Sequence, residues 1–174
     1  MQKASRDFIL SILDKANDLT IATNRPDGWP QATTVSFVHD GLIIYFGVGM
    51  EGQKAKNIAR DKRVSIVVDV PFPNWQEIKG LSMAAEAEFV TDPKEIMHFG
   101  ELMVERFGDQ VKEEFDRVSA QLAKAGGAQK AGASPLEAVG MAVVRARPKL
   151  VSILDYTKGF GHTELAEVSA SDLK

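Results

Sequence analysis

The sequence predicts a mostly β chain, a small antiparallel barrel with helical additions, and three observations carry that prediction. The first half holds strand-like runs joined by tight-turn signals. Gly80 to Val90 alternates cleanly, with Leu81, Met83, Ala85, Ala87 and Phe89 on one face and Glu86 and Glu88 on the other. The order is a helix, about four strands, helices, and two closing strands, which does not repeat as βαβ units.

Phe8, Ile9, Ile12, Leu13 and Ala16 recur at helical spacing, so a helix is expected over Ser5 to Asn17 with Ser5 as its N-cap. Two strands should follow, Leu19 to Asn24 and Gln31 to Val38. Arg25-Pro26-Asp27-Gly28 joins them: proline presets φ and glycine accepts positive φ. His39-Asp40-Gly41 then turns the chain into Leu42 to Phe46. Val64 to Val70 is a β-branched run suited to a buried strand. Pro71 and Pro73 prevent the ladder from continuing, because neither has an N–H to donate.

Asp92-Pro93-Lys94-Glu95 combines an N-cap, a proline at the first helical position and a capping glutamate. The helix it starts carries Ile96, Phe99, Met103 and Phe107, and Gly108 can end it. Val111, Phe115, Val118 and Leu122 mark a further helical stretch. Residues 125–135 are rich in glycine and alanine and read as a flexible insertion. Strand character returns in Gly140 to Ala146 and, after Pro148, in Lys149 to Asp155. All 174 residues are assigned to a single domain.

Composition narrows the chemistry. The formal net charge is -3, which gives no global attraction to nucleic acid or acidic lipid, so neither is expected as a partner. There is no cysteine, so disulfides, thiolate metal sites and thiol catalysis are excluded. No run approaches the roughly 20 apolar residues of a membrane span. Met1 to Asp7 lacks the pattern of a secretory signal, and a cytoplasmic location is the expectation. His39, His98 and His162 are scattered without metal-ligand spacing, and no metal site is expected. No serine sits in a G-x-S-x-G elbow, so catalytic residues are not identified.

Gly47-Val48-Gly49-Met50-Glu51-Gly52 is formally G-x-G-x-x-G, with Asp69 downstream. The dinucleotide reading fails on context. The preceding strand is already the third of an antiparallel meander, the helix after the glycines offers only Ala55, Ile58 and Ala59 as apolar residues, and no helix precedes the strand at Gly80. Two readings of the segment remain. Glycines, a helix N-terminus, Lys54 and Lys56 together suit an anion, whereas Lys-x-Lys is equally a solvated basic helix.

Gln31 to Phe37 with Tyr45-Phe46, then Gln53-Lys54-Ala55-Lys56-Asn57-Ile58, then Arg63-Val64-Ser65, resembles the pyridoxamine 5'-phosphate oxidase-like superfamily over Leu19 to Val90. The resemblance implies a six-stranded antiparallel FMN-binding split barrel, a homodimer with cofactor at the subunit interface, and an oxidoreductase acting on a small molecule. Its alternatives are a non-catalytic flavin- or heme-binding module and an F420-dependent reductase.

By position, Thr33, Thr34, Val35 and Ser36 would line the flavin and its phosphate, and Phe46 and Gly47 would supply backbone beside it. Gln53 and Lys54 would hold the phosphate while Asn57 steadies the turn. Trp75 and Tyr156 or Phe160 would complete the pocket from the second subunit, Lys158 would add a second phosphate or substrate contact, and His162 is a candidate substrate contact. Where pyridoxamine phosphate oxidases carry an arginine and a lysine, this chain has Thr33 and Val38. The tail, Asp155 to His162, also lacks their Arg-x-His element, so pyridoxamine phosphate is not the implied substrate.

Overall fold

The computed structural model describes residues 1–124, 136 and 140–174; the insertion expected at 125–135 lies outside them. The element order is α1 (Lys3–Leu13), β1 (Asp18–Asn24), β2 (Pro30–Ser36), β3 (Val38–Asp40), β4 (Ile43–Gly49), α2 (Gln53–Arg60), β5 (Arg63–Asp69), β6 (Lys79–Phe89), α3 (Pro93–Phe107), α4 (Asp109–Lys124), β7 (Met141–Asp155) and β8 (Thr163–Glu167). The strands form one antiparallel sheet in the order β2-β1-β5-β6-β7-β4-β3, with β8 added beside β7. The sheet curls until β2 approaches β4, and the resulting seam splits the barrel.

The inward positions fill the barrel. Leu19 and Ile21 of β1, Ile44 and Phe46 of β4, Ile66 and Val68 of β5, and Leu81 and Met83 of β6 are all at most 2% exposed. Helix α1 covers this core with Ile9, Ile12 and Leu13. A second cluster lies outside the sheet, where Phe99 of α3 packs against Val38, Tyr45, Val90 and Val143.

Several expectations need correction. The described residues give eight strands rather than six. Six long ones are the barrel, and two short ones, β3 and β8, flank it. The run Gln31 to Val38 breaks at Phe37, which turns inward and is fully buried, so Val38 pairs with Tyr45 instead of continuing β2. The two closing strands are one continuous β7 despite Pro148. Beside β7 the partner changes from β4, paired as far as Ala146, to β8, paired from Leu150, and proline sits in that gap where no ladder N–H is required.

Helix α1 begins at Lys3 with Gln2 as N-cap, so Ser5 is not the cap. Asp92 caps α3 as expected, accepting from the Lys94 N–H at 3.0 Å. Glu95 does not close a capping box. Its carboxylate turns to the sheet, where it accepts from Tyr45 Oη at 2.9 Å and from Arg145 Nη1 at 2.6 and 2.7 Å.

Candidate functional site

The site grows from the junction of β2, β4 and α2. Gly52 is the N-cap of α2 and supplies no side-chain acceptor, and the first turn contains no acidic residue. The N–H groups of that turn are therefore left for an outside partner. Gly52 also holds the turn tight: its N–H donates to Gly49 O at 3.0 Å, and a Cβ there would lie 3.1 Å from the same oxygen.

Lys54 and Lys56, equivalent in the sequence, differ in the fold. Lys56 is exposed, with Glu51 at 3.7 Å. Lys54 is half-buried, and no carboxylate of a described residue lies in ion-pair reach of it. Burial alone lowers its pKa from the ordinary 10.5. A desolvated ammonium with no carboxylate is the state expected of an anion-binding lysine.

A buried polar hub fixes this turn to the strands. Asn57 is completely buried; its Nδ2 donates to Thr23 Oγ1 at 2.9 Å and to Gln31 Oε1 at 3.2 Å, and its Oδ1 accepts from Gln53 Nε2 at 2.8 Å. The hub ties the first turn of α2 to β1 and β2. Two residues along β2 from Gln31, Thr33 Oγ1 is buried and has no hydrogen-bond partner among the described residues. An orphaned hydroxyl in a native fold calls for an explanation, and a ligand is one.

Farther along the seam is a chamber of about 500 Å³. The barrel side is formed by Val35 and Ser36 of β2, Gly47 of β4, and Met141 and Ala142 of β7. The opposite wall is helical, with Phe99 and Met103 of α3, Val111 of α4, and Leu136. A Cβ on Gly47 would meet Met141 Cε at 3.3 Å, so glycine keeps the seam open. A larger depression of about 730 Å³, between the N-terminal segment and β8, shares no residue with this site.

The structure thus ties Gln53 and Asn57 to Gln31 at the start of β2, with Lys54 in the same helical turn and Thr33 two residues along the strand, while Val35, Ser36 and Gly47 line the chamber. Thr34 and Ser36 project outward from the sheet, while Phe46 points into the core and offers only its backbone. Trp75, Tyr156 and Phe160 form an aromatic cluster of their own. Phe160 meets Trp75 edge-on at 5.7 Å between ring centroids and Tyr156 at 5.4 Å.

That cluster is not assembled with Lys54 within one chain. It follows Asp155 at the C-terminal end of β7, whereas Met141 at the other end of that strand pairs with Gly49, just before the Lys54 turn. Lys158 is paired with Glu164 at 2.7 Å, and His162 Nε2 reaches the same carboxylate at 2.9 Å. No group of three potential His, Asp or Glu metal ligands occurs among the described residues.

Sequence reasoning missed Thr23, which occupies an inward position after Leu19 and Ile21 and is 2% exposed. A polar residue in that register was the available signal. It also missed the helical wall, because Phe99 and Met103 look like ordinary core residues of an amphipathic helix.

A family model described as pyridoxamine 5'-phosphate oxidase matches residues 3–149. No curated protein matches the chain. Among solved structures, the conserved hypothetical protein Rv2991 of Mycobacterium tuberculosis aligns with TM-score 0.68 and 22% identity, covering 98% of this chain and 94% of the other. A heme binding protein of Mycobacterium smegmatis aligns with TM-score 0.68 and 18% identity; the match covers 96% of this chain but only 59% of that protein. HutZ, the heme storage protein of Vibrio cholerae, aligns with TM-score 0.57 and 19% identity, covering 80% and 87% of the two chains. At these identities the structural likeness establishes the fold. No described helix is long and apolar enough to cross a membrane.

Proposed function

The chain belongs to the pyridoxamine 5'-phosphate oxidase family, and from that premise we propose that it is a homodimeric FMN-binding oxidoreductase acting on a small molecule. The observation that carries the reading is Lys54, a desolvated ammonium without a carboxylate among the described residues, beside a helix turn fixed by Asn57. Lys54 and the open N–H groups of the first turn of α2 would hold a phosphate. The orphaned Thr33 hydroxyl fits a donor to the same ligand. From Gln31 to Ser36 is about 17 Å of extended strand at roughly 3.3 Å per residue. That length lets a phosphorylated chain lie along β2 while its ring reaches the seam at Ser36 and Gly47. Once bound, FMN supplies the electron-transfer chemistry, and the protein positions its ring and shapes access to it.

The homodimer rests on the outer face of the sheet. Ala22, Ser65, Ala84 and Leu150 stand side by side across β1, β5, β6 and β7. Val67 and Leu165 beside them are 43% and 71% exposed. An outer face bathed in water is ordinarily polar; this central strip is uncharged, as suits a second copy. In a dimer the exposed aromatic cluster of Trp75, Tyr156 and Phe160 would be available to the partner's site.

Heme, named for two of the structural neighbours, is the second reading. Among the described residues, no histidine lines the seam chamber. His39, His98 and His162 are each directed at a carboxylate, of Asp14, Asp40 and Glu164 respectively. The absorption spectrum of the purified protein tests the assignment. Flavin bands with FMN released on denaturation are expected, and a Soret band without flavin overturns it. Reduction of the bound flavin by NADH or NADPH then separates an enzyme from a passive carrier.

A further inference from the structure

We propose that the seam chamber selects neutral apolar ring compounds and rejects anionic ones; this rests on the proposed cofactor reading for its role as the substrate side of the site. Its volume of about 500 Å³ is within the range of small-molecule pockets. The helical wall is hydrocarbon and thioether: Phe99, Met103, Val111 and Leu136. No described lysine or arginine lines the chamber. Among the described residues its polar side chains are Ser36, Gln110 and Glu114.

Glu114 lines the chamber and is held ionised by hydrogen bonds from Arg117, which lower its pKa. The guanidinium is spent on that contact and does not face the chamber. An anionic substrate would therefore lose its hydration without gaining a cation, and would meet a carboxylate there. A neutral ring loses little on leaving water and gains contact with the helical wall. The cation and the chamber divide the labour: phosphate chemistry belongs to the Lys54 end of β2, and apolar selection to the Ser36 end.

The test titrates the full-length protein, as purified, with two fluorescent probes sharing one ring frame. N-phenyl-1-naphthylamine is neutral, and 8-anilino-1-naphthalenesulfonate is its anionic counterpart. The neutral probe is expected to bind at one per chain and at least tenfold tighter than the sulfonate. Val111→Trp and Met103→Trp, which fill the helical wall, should each weaken the neutral probe tenfold or more. Gln110→Lys should narrow the difference between the probes.

Equal affinity for the two probes in the unmodified protein overturns the inference, as does neutral-probe binding that neither tryptophan variant disturbs. The cofactor reading fails separately. A protein lacking flavin that still prefers the neutral probe keeps the chamber inference, while flavin-loaded protein without the preference loses it.

Discussion

Replacing Lys54 by alanine gives the sharpest test of the proposed phosphate site, because the fold predicts opposite consequences for binding and stability. In the cofactor-free protein the ammonium is desolvated with no carboxylate of a described residue beside it. Its removal should leave thermal stability unchanged or slightly higher. With FMN bound, the same ammonium makes a charge-assisted contact, and such hydrogen bonds contribute about 1.5–3 kcal/mol. At 1.4 kcal/mol per tenfold, the variant should bind FMN about 10- to 150-fold more weakly.

Fluorescence titration of flavin-stripped protein reads the effect, with riboflavin as the ligand that lacks the phosphate. Riboflavin affinity should not change. Lys56→Ala is the internal control, since Lys56 is exposed and faces Glu51. A shift in FMN affinity of less than threefold for Lys54→Ala, or an equal loss of riboflavin, would refute the argument.

The pH dependence follows from the same residue. The folded pKa of Lys54 is depressed below 10.5, so between that pKa and 10.5 the cofactor-free folded state holds fewer protons than the unfolded chain. Stability rises with pH across this window, whereas FMN, which needs the ammonium, should bind progressively less well and take up a proton on binding. Lys54→Arg should retain its affinity there; an unchanged pH profile counts against the assignment.

At the sheet–α3 junction, Arg145→Ala removes the bidentate partner of Glu95. Because the pair is partly exposed, about 2 kcal/mol is expected, below the 3–5 of fully buried pairs. That corresponds to a fall of about 4–8 °C in melting temperature by calorimetry. Gly41→Asn and Gly28→Asn should differ strongly although both glycines have positive φ: a Cβ on Gly41 would sit 2.3 Å from Leu173 O, while Gly28 has nothing within 4 Å. Denaturant unfolding should show a large loss only for Gly41→Asn. Val67→Lys with Leu165→Lys should shift the proposed dimer to monomer in sedimentation, and flavin content should fall with it.

Most of the barrel was legible because its strands are governed by local rules. In β6 the alternation of Leu81, Met83, Ala85 and Ala87 against Glu86 and Glu88 assigns faces without knowledge of any partner. The exceptions depend on what lies alongside. Pro148 reads as a break, and it is harmless only because β4 ends and β8 begins beside it. Glu95 fits a capping box until Arg145 and Tyr45, far away in sequence, take its carboxylate. Two charge-assisted contacts at a half-buried site outweigh one exposed capping bond.

The candidate site divides in the same way. The glycine turn, Lys54 and Asn57 lie close together in sequence, so their grouping was readable, but the distinction between Lys54 and Lys56 was not. It depends on which side of α2 faces the sheet, a rotation set by buried Ala55, Asn57 and Ile58 and fixed by the Asn57 hydrogen bonds. The chamber was invisible, since its walls come from β2, β4, α3, α4 and β7 and no lining residue alone marks a site. The aromatic cluster poses the remaining problem of reach. Trp75 and Phe160 leave 55% and 82% of their surface exposed, a costly arrangement for residues that usually bury their rings. An uncharged sheet face and stranded aromatics at the opposite end of β7 have one common remedy. A second copy docked on that face covers the strip and gives the rings a site to complete.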